Sequence, residues 1–262
     1  MKIPIYQIDA FTSEQFSGNP AAVCILDHWP EDQTLLNIAK ENNLAETAFL
    51  VPVEPEHYHL RWFTPEIEMD LCGHATLASA YVVLNYLDPE LRAVRFKSMS
   101  GELTVRRIED QYELDFPSRP PLPCELNKTI SEALSIQPSA WFKSRDYVLL
   151  FNSEKEILDL EVNELLLKKI NIDPGGIIVT SKGDSADFVS RFFTPGAAIF
   201  EDPVTGSAHC SLAPFWAERL GKNTLNAQQL SARGGKINCE IKGDRVLLRG
   251  QAVPYLEGTI TI

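Results

Sequence analysis

Three short stretches carry residue types able to do chemistry. Asn43-Leu44-Ala45-Glu46-Thr47-Ala48-Phe49-Leu50 sets a single carboxylate among apolar neighbours. A carboxylate so placed is expected to be partly desolvated, a setting in which an acid can take and return a proton near neutral pH. The same Glu46 could equally be a solvated group at a strand edge or a turn cap. The other two stretches are small-residue turns, Asp70-Leu71-Cys72-Gly73-His74-Ala75 and Asp202-Pro203-Val204-Thr205-Gly206-Ser207-Ala208. Each runs into a helical pattern, and free N–H groups at a helix start favour an anion. Glycine lets a ligand approach the backbone closely. The pair of turns at Gly73-His74 and Gly206-Ser207 is therefore expected to hold a carboxylate without help from an arginine, although each glycine alone would serve as a helix cap.

The elements that must position these residues occur twice. Arg61-Trp62-Phe63-Thr64-Pro65 returns 130 residues later as Arg191-Phe192-Phe193-Thr194-Pro195, and the glycine turn follows each copy. Upstream, Asp32 to Asn42 and Val162 to Ile172 both show apolar residues at helical spacing. A short apolar strand follows each, Thr47 to Val51 and Ile177 to Thr180. Helix, strand, R-x-F-T-P and turn in one order point to an internal duplication. The proline-rich stretch Asp115 to Pro123 reads as the connector. The expected domains are 1–115 and 124–250, with a strand over about 251–262 available to return to the first. The expected fold class is α/β (α+β): two pseudo-symmetric lobes with mostly antiparallel strands, and the active site in a cleft between them. One residue escapes the duplication, since Glu46 falls opposite Gly176.

Composition narrows the function. The chain has 262 residues, 44% hydrophobic and 23% charged, enough for a core that needs no disulfide or metal. A formal net charge of -12 disfavours nucleic-acid and membrane-surface roles but not a small anionic substrate. The five cysteines, Cys24, Cys72, Cys124, Cys210 and Cys239, are scattered and read as reduced thiols. With no signal-peptide core and no apolar run of membrane length, a soluble cytoplasmic protein is expected. His57 and His59 share a strand face without further ligands nearby, and His28 and His209 stand alone, so no metal is expected. Nucleotide-binding and nucleophile-elbow motifs are absent from the sequence.

The same residues resemble a known family. Phe16-Ser17-Gly18-Asn19-Pro20-Ala21-Ala22-Val23, Glu46-Thr47-Ala48-Phe49, Arg61-Trp62-Phe63-Thr64-Pro65, Cys72-Gly73-His74-Ala75-Thr76, Glu201 to Ala208 and Ser231-Ala232-Arg233-Gly234-Gly235 are similar to the phenazine-biosynthesis PhzF-like proteins. The match spans most of the chain and fades between Pro120 and Glu161. The resemblance implies a diaminopimelate-epimerase-like fold and a cofactor-independent isomerase. It implies that Glu46 moves a hydrogen between carbons of a carboxylated cyclic diene. It implies that each lobe is a curved sheet or barrel around a central helix, it places His74, Asp202, Gly206 and Ser207 at substrate-contacting positions, to which the turn reading adds Gly73, and it implies a homodimer. In the related epimerases a cysteine precedes the glycine in both turns, whereas here the positions hold Cys72 and Thr205. Two-base epimerisation therefore lacks its second thiol. A dehydratase or isomerase using Cys72 alone is the alternative chemistry, and a non-catalytic binding protein on the same fold is the alternative of another class.

Overall fold

The computed structural model describes residues 1–172 and 175–262. The chain divides into two compact units, Met1–Asp115 with Leu248–Ile262, and Phe116–Leu247.

The first unit contains β1 (Lys2–Ala10), β2 (Asn19–Ile25), α1 (Asp32–Asn42), β3 (Glu46–Glu54), β4 (His57–Phe63), β5 (Glu68–Met69), α2 (Gly73–Val82), β6 (Ala93–Ser98), β7 (Gly101–Ile108) and most of β8 (Gln111–Pro117). A single wide turn, Val83–Leu87, extends α2. The second unit contains β9 (Leu122–Pro123), α3 (Lys128–Glu132), β10 (Ala140–Lys143), β11 (Tyr147–Leu150), α4 (Glu154–Asp159), α5 (Glu164–Leu167), β12 (Ile177–Lys182), β13 (Phe188–Phe193), α6 (Gly206–Leu220), β14 (Thr224–Gln229) and β15 (Gly235–Lys242). The chain leaves this unit within β16 (Arg245–Gly250), and β17 (Ala252–Thr261) belongs to the first.

Strand pairing repeats between the units. In the first, β1–β2 is antiparallel, β2–β3 parallel, β3–β4 antiparallel, β4–β6 parallel and β6–β7 antiparallel. In the second, β10–β11, β11–β12, β12–β13, β13–β14 and β14–β15 follow the same alternation. β17 adds to the first unit beside β1, antiparallel. Each parallel step needs a crossover, which α1, α2, α6 and the pair α4 and α5 supply.

Both long central helices are apolar nearly all round, the mark of a helix enclosed by other elements. α2 packs on β1, β2, β3, β7 and β17, strands from both ends of its sheet, so that sheet curves around it. In α6, Pro214 cannot bond the carbonyl of Cys210. Arg119 of the proline-rich connector donates its backbone N–H to that carbonyl at 2.9 Å instead. The outer face of the first sheet is covered by α1 through Leu35, Ile38 and Ala39 against Ala22, Cys24, Phe49 and Phe63. In the second unit Ile130, Ile157 and Leu167, one from each short helix, pack against Leu149, Ile177, Val179 and Val189.

Two expectations change. The single helix read over Val162 to Ile172 is only Glu164–Leu167, preceded by the separate helix Glu154–Asp159. Asn163 and Ser153 start these helices by accepting N–H groups of Leu166 and Glu156, and the capping breaks the run into pieces. The short strand read over Thr47 to Val51 runs further, as Glu46–Glu54.

Candidate active site

Local geometry brings Glu46, Cys72 and His74 together in the first unit. Helix α1 ends at Asn43 in the left-handed conformation, φ 49°, and the chain turns back into β3, which opens on Glu46. Asn42 Nδ2 donates to Thr47 Oγ1 at 3.0 Å and ties the helix end to that strand start. Parallel pairing sets Glu46 beside Ala21 of β2, whose first residue is Asn19. Cys72 precedes α2, and Gly73 and His74 are its first two residues.

Glu46 Oε2 lies 3.1 Å from His74 Nε2, with the two side chains 15% and 6% exposed. The contact is close but not aligned as a hydrogen bond, so both buried atoms lack a hydrogen-bond partner. An unsatisfied buried atom of this kind costs about 1–3 kcal/mol. On the other edge of the imidazole, Nδ1 faces Asn19 Nδ2 at 3.1 Å and Cys72 Sγ at 3.5 Å. With the amide nitrogen of Asn19 facing it, Nδ1 is an acceptor and the ring proton sits on Nε2, toward Glu46. The reversed amide presents its oxygen and suits the imidazolium.

The charges follow from burial and neighbours. Burial pulls His74 down, but Cys72 and Glu46 outweigh it and hold the imidazole well above its ordinary value. Burial, reinforced by the Glu46 charge and opposed by His74, pushes the Cys72 thiol up. The three side chains have donor atoms within 4.8 Å of one another. Glu46 and Cys72 nevertheless address opposite nitrogens of the imidazole, an arrangement suited to passing or holding a proton rather than to converging on one ion.

The second unit carries the matching turn. Thr205 precedes α6, and Gly206 and Ser207 open it. The turn is pinned from several sides. Thr205 Oγ1 donates to Asp202 Oδ2 at 2.5 Å, Gln229 Nε2 donates to the Asp202 carbonyl at 2.7 Å, and Ser231 Oγ donates to the Pro203 carbonyl at 2.8 Å. Thr205, the counterpart of Cys72, thus spends its hydroxyl on Asp202. Gly176, the counterpart of Glu46, has no room for a side chain. A Cβ there would lie 2.4 Å from the Phe192 ring and 2.8 Å from the Phe193 carbonyl.

Of the four remaining histidines, His28 is exposed and the other three have local surroundings that account for them. Burial pushes His209 down to about 4, against the opposing pull of the Thr205 carbonyl, so it is a neutral core group. His57 meets Glu54 at 2.6 Å, and His59 accepts from Trp29 Nε1 at 3.3 Å. Two site neighbours escaped the sequence reading. Asn19 lay inside a quoted motif but its contact with His74 spans 55 residues. Arg145, whose Nη2 donates to Ser207 Oγ at 3.0 Å, lies in the stretch without family signature.

Comparison with known proteins fits this architecture. The family model described as phenazine biosynthesis-like protein matches residues 8–258. The chain is 48% identical over 260 residues to an uncharacterised isomerase of Pseudomonas aeruginosa, covering 99% of each. It is 44% identical, with a TM-score of 0.95 and full coverage of both chains, to the crystal structure of a PhzF-family phenazine biosynthesis protein from Enterococcus faecalis. A hydroxyproline epimerase from Agrobacterium vitis shares the fold at a TM-score of 0.60 over 99% of this chain and 92% of that one, with 8% identity. The chain therefore belongs to the phenazine biosynthesis-like (PhzF) family and is an isomerase of the epimerase-like fold.

Proposed function

We propose that the protein moves a proton between two carbons of a small carboxylated, cyclic metabolite, with Glu46 as the single acid–base group. The observation that carries this reading is the buried Glu46–His74 contact with no counterpart in the second unit. Glu46 Oε2 lies 3.1 Å from His74 Nε2, and neither atom has an aligned hydrogen-bond partner among the described residues. In the proposed reaction this carboxylate removes a proton from one ring carbon. The electron pair shifts across the adjacent double bond, and the neutral acid returns the proton two carbons away on the same face. No oxidant or second base is required. His74 orients the Glu46 carboxylate and a polar group of the substrate, and Asn19 holds the opposite edge of the His74 ring.

The turn at Asp202, Gly206 and Ser207 is proposed to bind the substrate's carboxylate. Its glycine-opened helix start offers N–H groups suited to an anion. A two-base inversion is disfavoured because Gly176 cannot carry a side chain and Thr205 offers no thiol. Thiol chemistry at Cys72 is disfavoured because burial and Glu46 keep it protonated. The test is a panel of cyclohexadiene carboxylates incubated with the protein in D2O and followed by NMR. The expected result is double-bond migration with the label confined to one face. Scrambling over both faces, or inversion at a stereocentre without migration, overturns the one-base reading.

A further inference from the structure

Helix α6 opens beside a guanidinium that simple electrostatics does not favour there. Cations are disfavoured near a helix start by roughly 0.3–1 kcal/mol. Yet Arg145 reaches the second residue of the helix, donating from Nη2 to Ser207 Oγ at 3.0 Å. Its Nε and Nη2 also meet both carboxylate oxygens of Asp146 at 3.0–3.2 Å. Asp146 is 1% exposed and accepts the Gly176 backbone N–H at 2.8 Å, so it is a rigid anchor. The guanidinium itself is one-third exposed, and its Nη1 has no partner among the described residues.

The duplicated topology gives this contact its meaning. In the first unit, the residue that opens β2, Asn19, holds the second residue of α2, His74. In the second unit, the residues entering β11 stand in the same place. Strand register aligns Asn19 with Ser144 and Pro20 with Arg145. Ser144 turns instead to Ser211, at 2.8 Å, and Arg145 takes over the contact with the helix start. Both units therefore use the strand entry to fix the side chain at the second helical position. Where one fixes an imidazole with an amide, the other fixes a hydroxyl with a cation. Because Nη2 donates, Ser207 Oγ accepts, and its hydrogen is directed elsewhere as a donor.

We infer that Arg145 is a positioning residue that fixes the Ser207 hydroxyl as a donor and makes the α6 turn selective for an anionic carboxylate over its neutral amide. The inference rests on the reading of Gly206-Ser207 as a substrate turn.

The test uses benzoate and benzamide as probes, titrated by isothermal calorimetry into the full-length protein and its variants. Wild type is expected to bind benzoate more tightly than benzamide. Ser207→Ala should weaken benzoate about tenfold, the worth of one hydrogen bond to a charged group. Because Arg145→Met alone leaves Asp146 buried without its cation, the decisive variant is Arg145→Met/Asp146→Asn, which removes both charges and keeps an acceptor for Gly176. That variant should lose about tenfold for benzoate and leave benzamide unchanged. Wild-type benzoate affinity in the double variant overturns the inference while leaving the turn a binding site, since Arg145 is then only the counter-charge of Asp146. An equal loss for benzamide also overturns it. An unaltered Ser207→Ala, or no benzoate binding by wild type at tens of millimolar, removes the turn as a site and the inference with it.

Discussion

Replacing Gly176 with alanine probes why the second unit carries no side chain at the position equivalent to Glu46. The added Cβ would sit 2.4 and 2.7 Å from two atoms of the Phe192 ring and 2.8 Å from the Phe193 carbonyl oxygen, where ordinary contact begins at 3.4 Å. Relief needs a shift of about 1 Å in a buried core, since Phe192 is only 4% exposed. Backbone cannot yield easily either, because Gly176 is held by its N–H to Asp146 and by its carbonyl to Tyr147 N–H. Overpacking of this kind costs about 1–3 kcal/mol. Loss of glycine freedom in the unfolded chain returns about 0.4–1 kcal/mol. The net is a destabilisation of about 1–2 kcal/mol, or a fall in Tm of about 2–8 °C for a chain of this size. Calorimetric unfolding measures it directly. A Gly176→Ala protein as stable as wild type would show that packing does not keep this position bare, and the structural reason for a single base would be lost.

Further predictions concern the site and its supports. In Glu46→Gln, burial acts on His74 with one of the two neighbours that raise it neutralised, so the imidazole should titrate below its wild-type position, read by NMR of the ring protons. Because the folded wild-type value lies above the ordinary one of about 6.5, His74 contributes stability that is complete below that pH and fades as pH rises through the folded value. That decline should flatten in Glu46→Gln, and an unchanged pH profile of stability contradicts the pairing. Arg191→Met removes bonds to Glu201 and to the carbonyls of Ile157 and Leu160, and should cost more in urea unfolding than Arg61→Met. Arg61 also meets Asp32, but that partner is 73% exposed and contributes little. Equal costs for the two arginines contradict that ranking.

Much of the site was legible in the sequence because its residues sit in local patterns. Glu46 stands at a helix-to-strand turn, and the C-G-H and T-G-S turns open helices; all are visible within a few residues. The repeat was legible because both Arg-x-Phe-Thr-Pro copies do one job. Arg61 forks onto Glu68 and lies over Phe63, and Arg191 forks onto Glu201 and lies over Phe193. What stayed hidden depends on long-range contact. The partnership of Asn19 with His74 and of Arg145 with Ser207 joins residues 55 and 62 apart, a separation that no periodicity reports. The helices of the stretch Pro120 to Glu161 and just beyond are four to six residues long, too short for an amphipathic period. Their caps, Asn127, Ser153 and Asn163, were the readable signal.

The central claim, that Glu46 alone shuttles the proton, is tested most directly by comparing Glu46→Gln with Cys72→Ala on any cyclohexadiene carboxylate the wild type isomerises. Turnover is followed by the change in diene absorbance. The account predicts that Glu46→Gln binds the substrate but loses roughly 10²–10⁴-fold in kcat, the worth of a general acid–base group, while Cys72→Ala stays within a few-fold of wild type. Abolished turnover in Cys72→Ala with full turnover in Glu46→Gln would contradict it and assign the chemistry to the thiol.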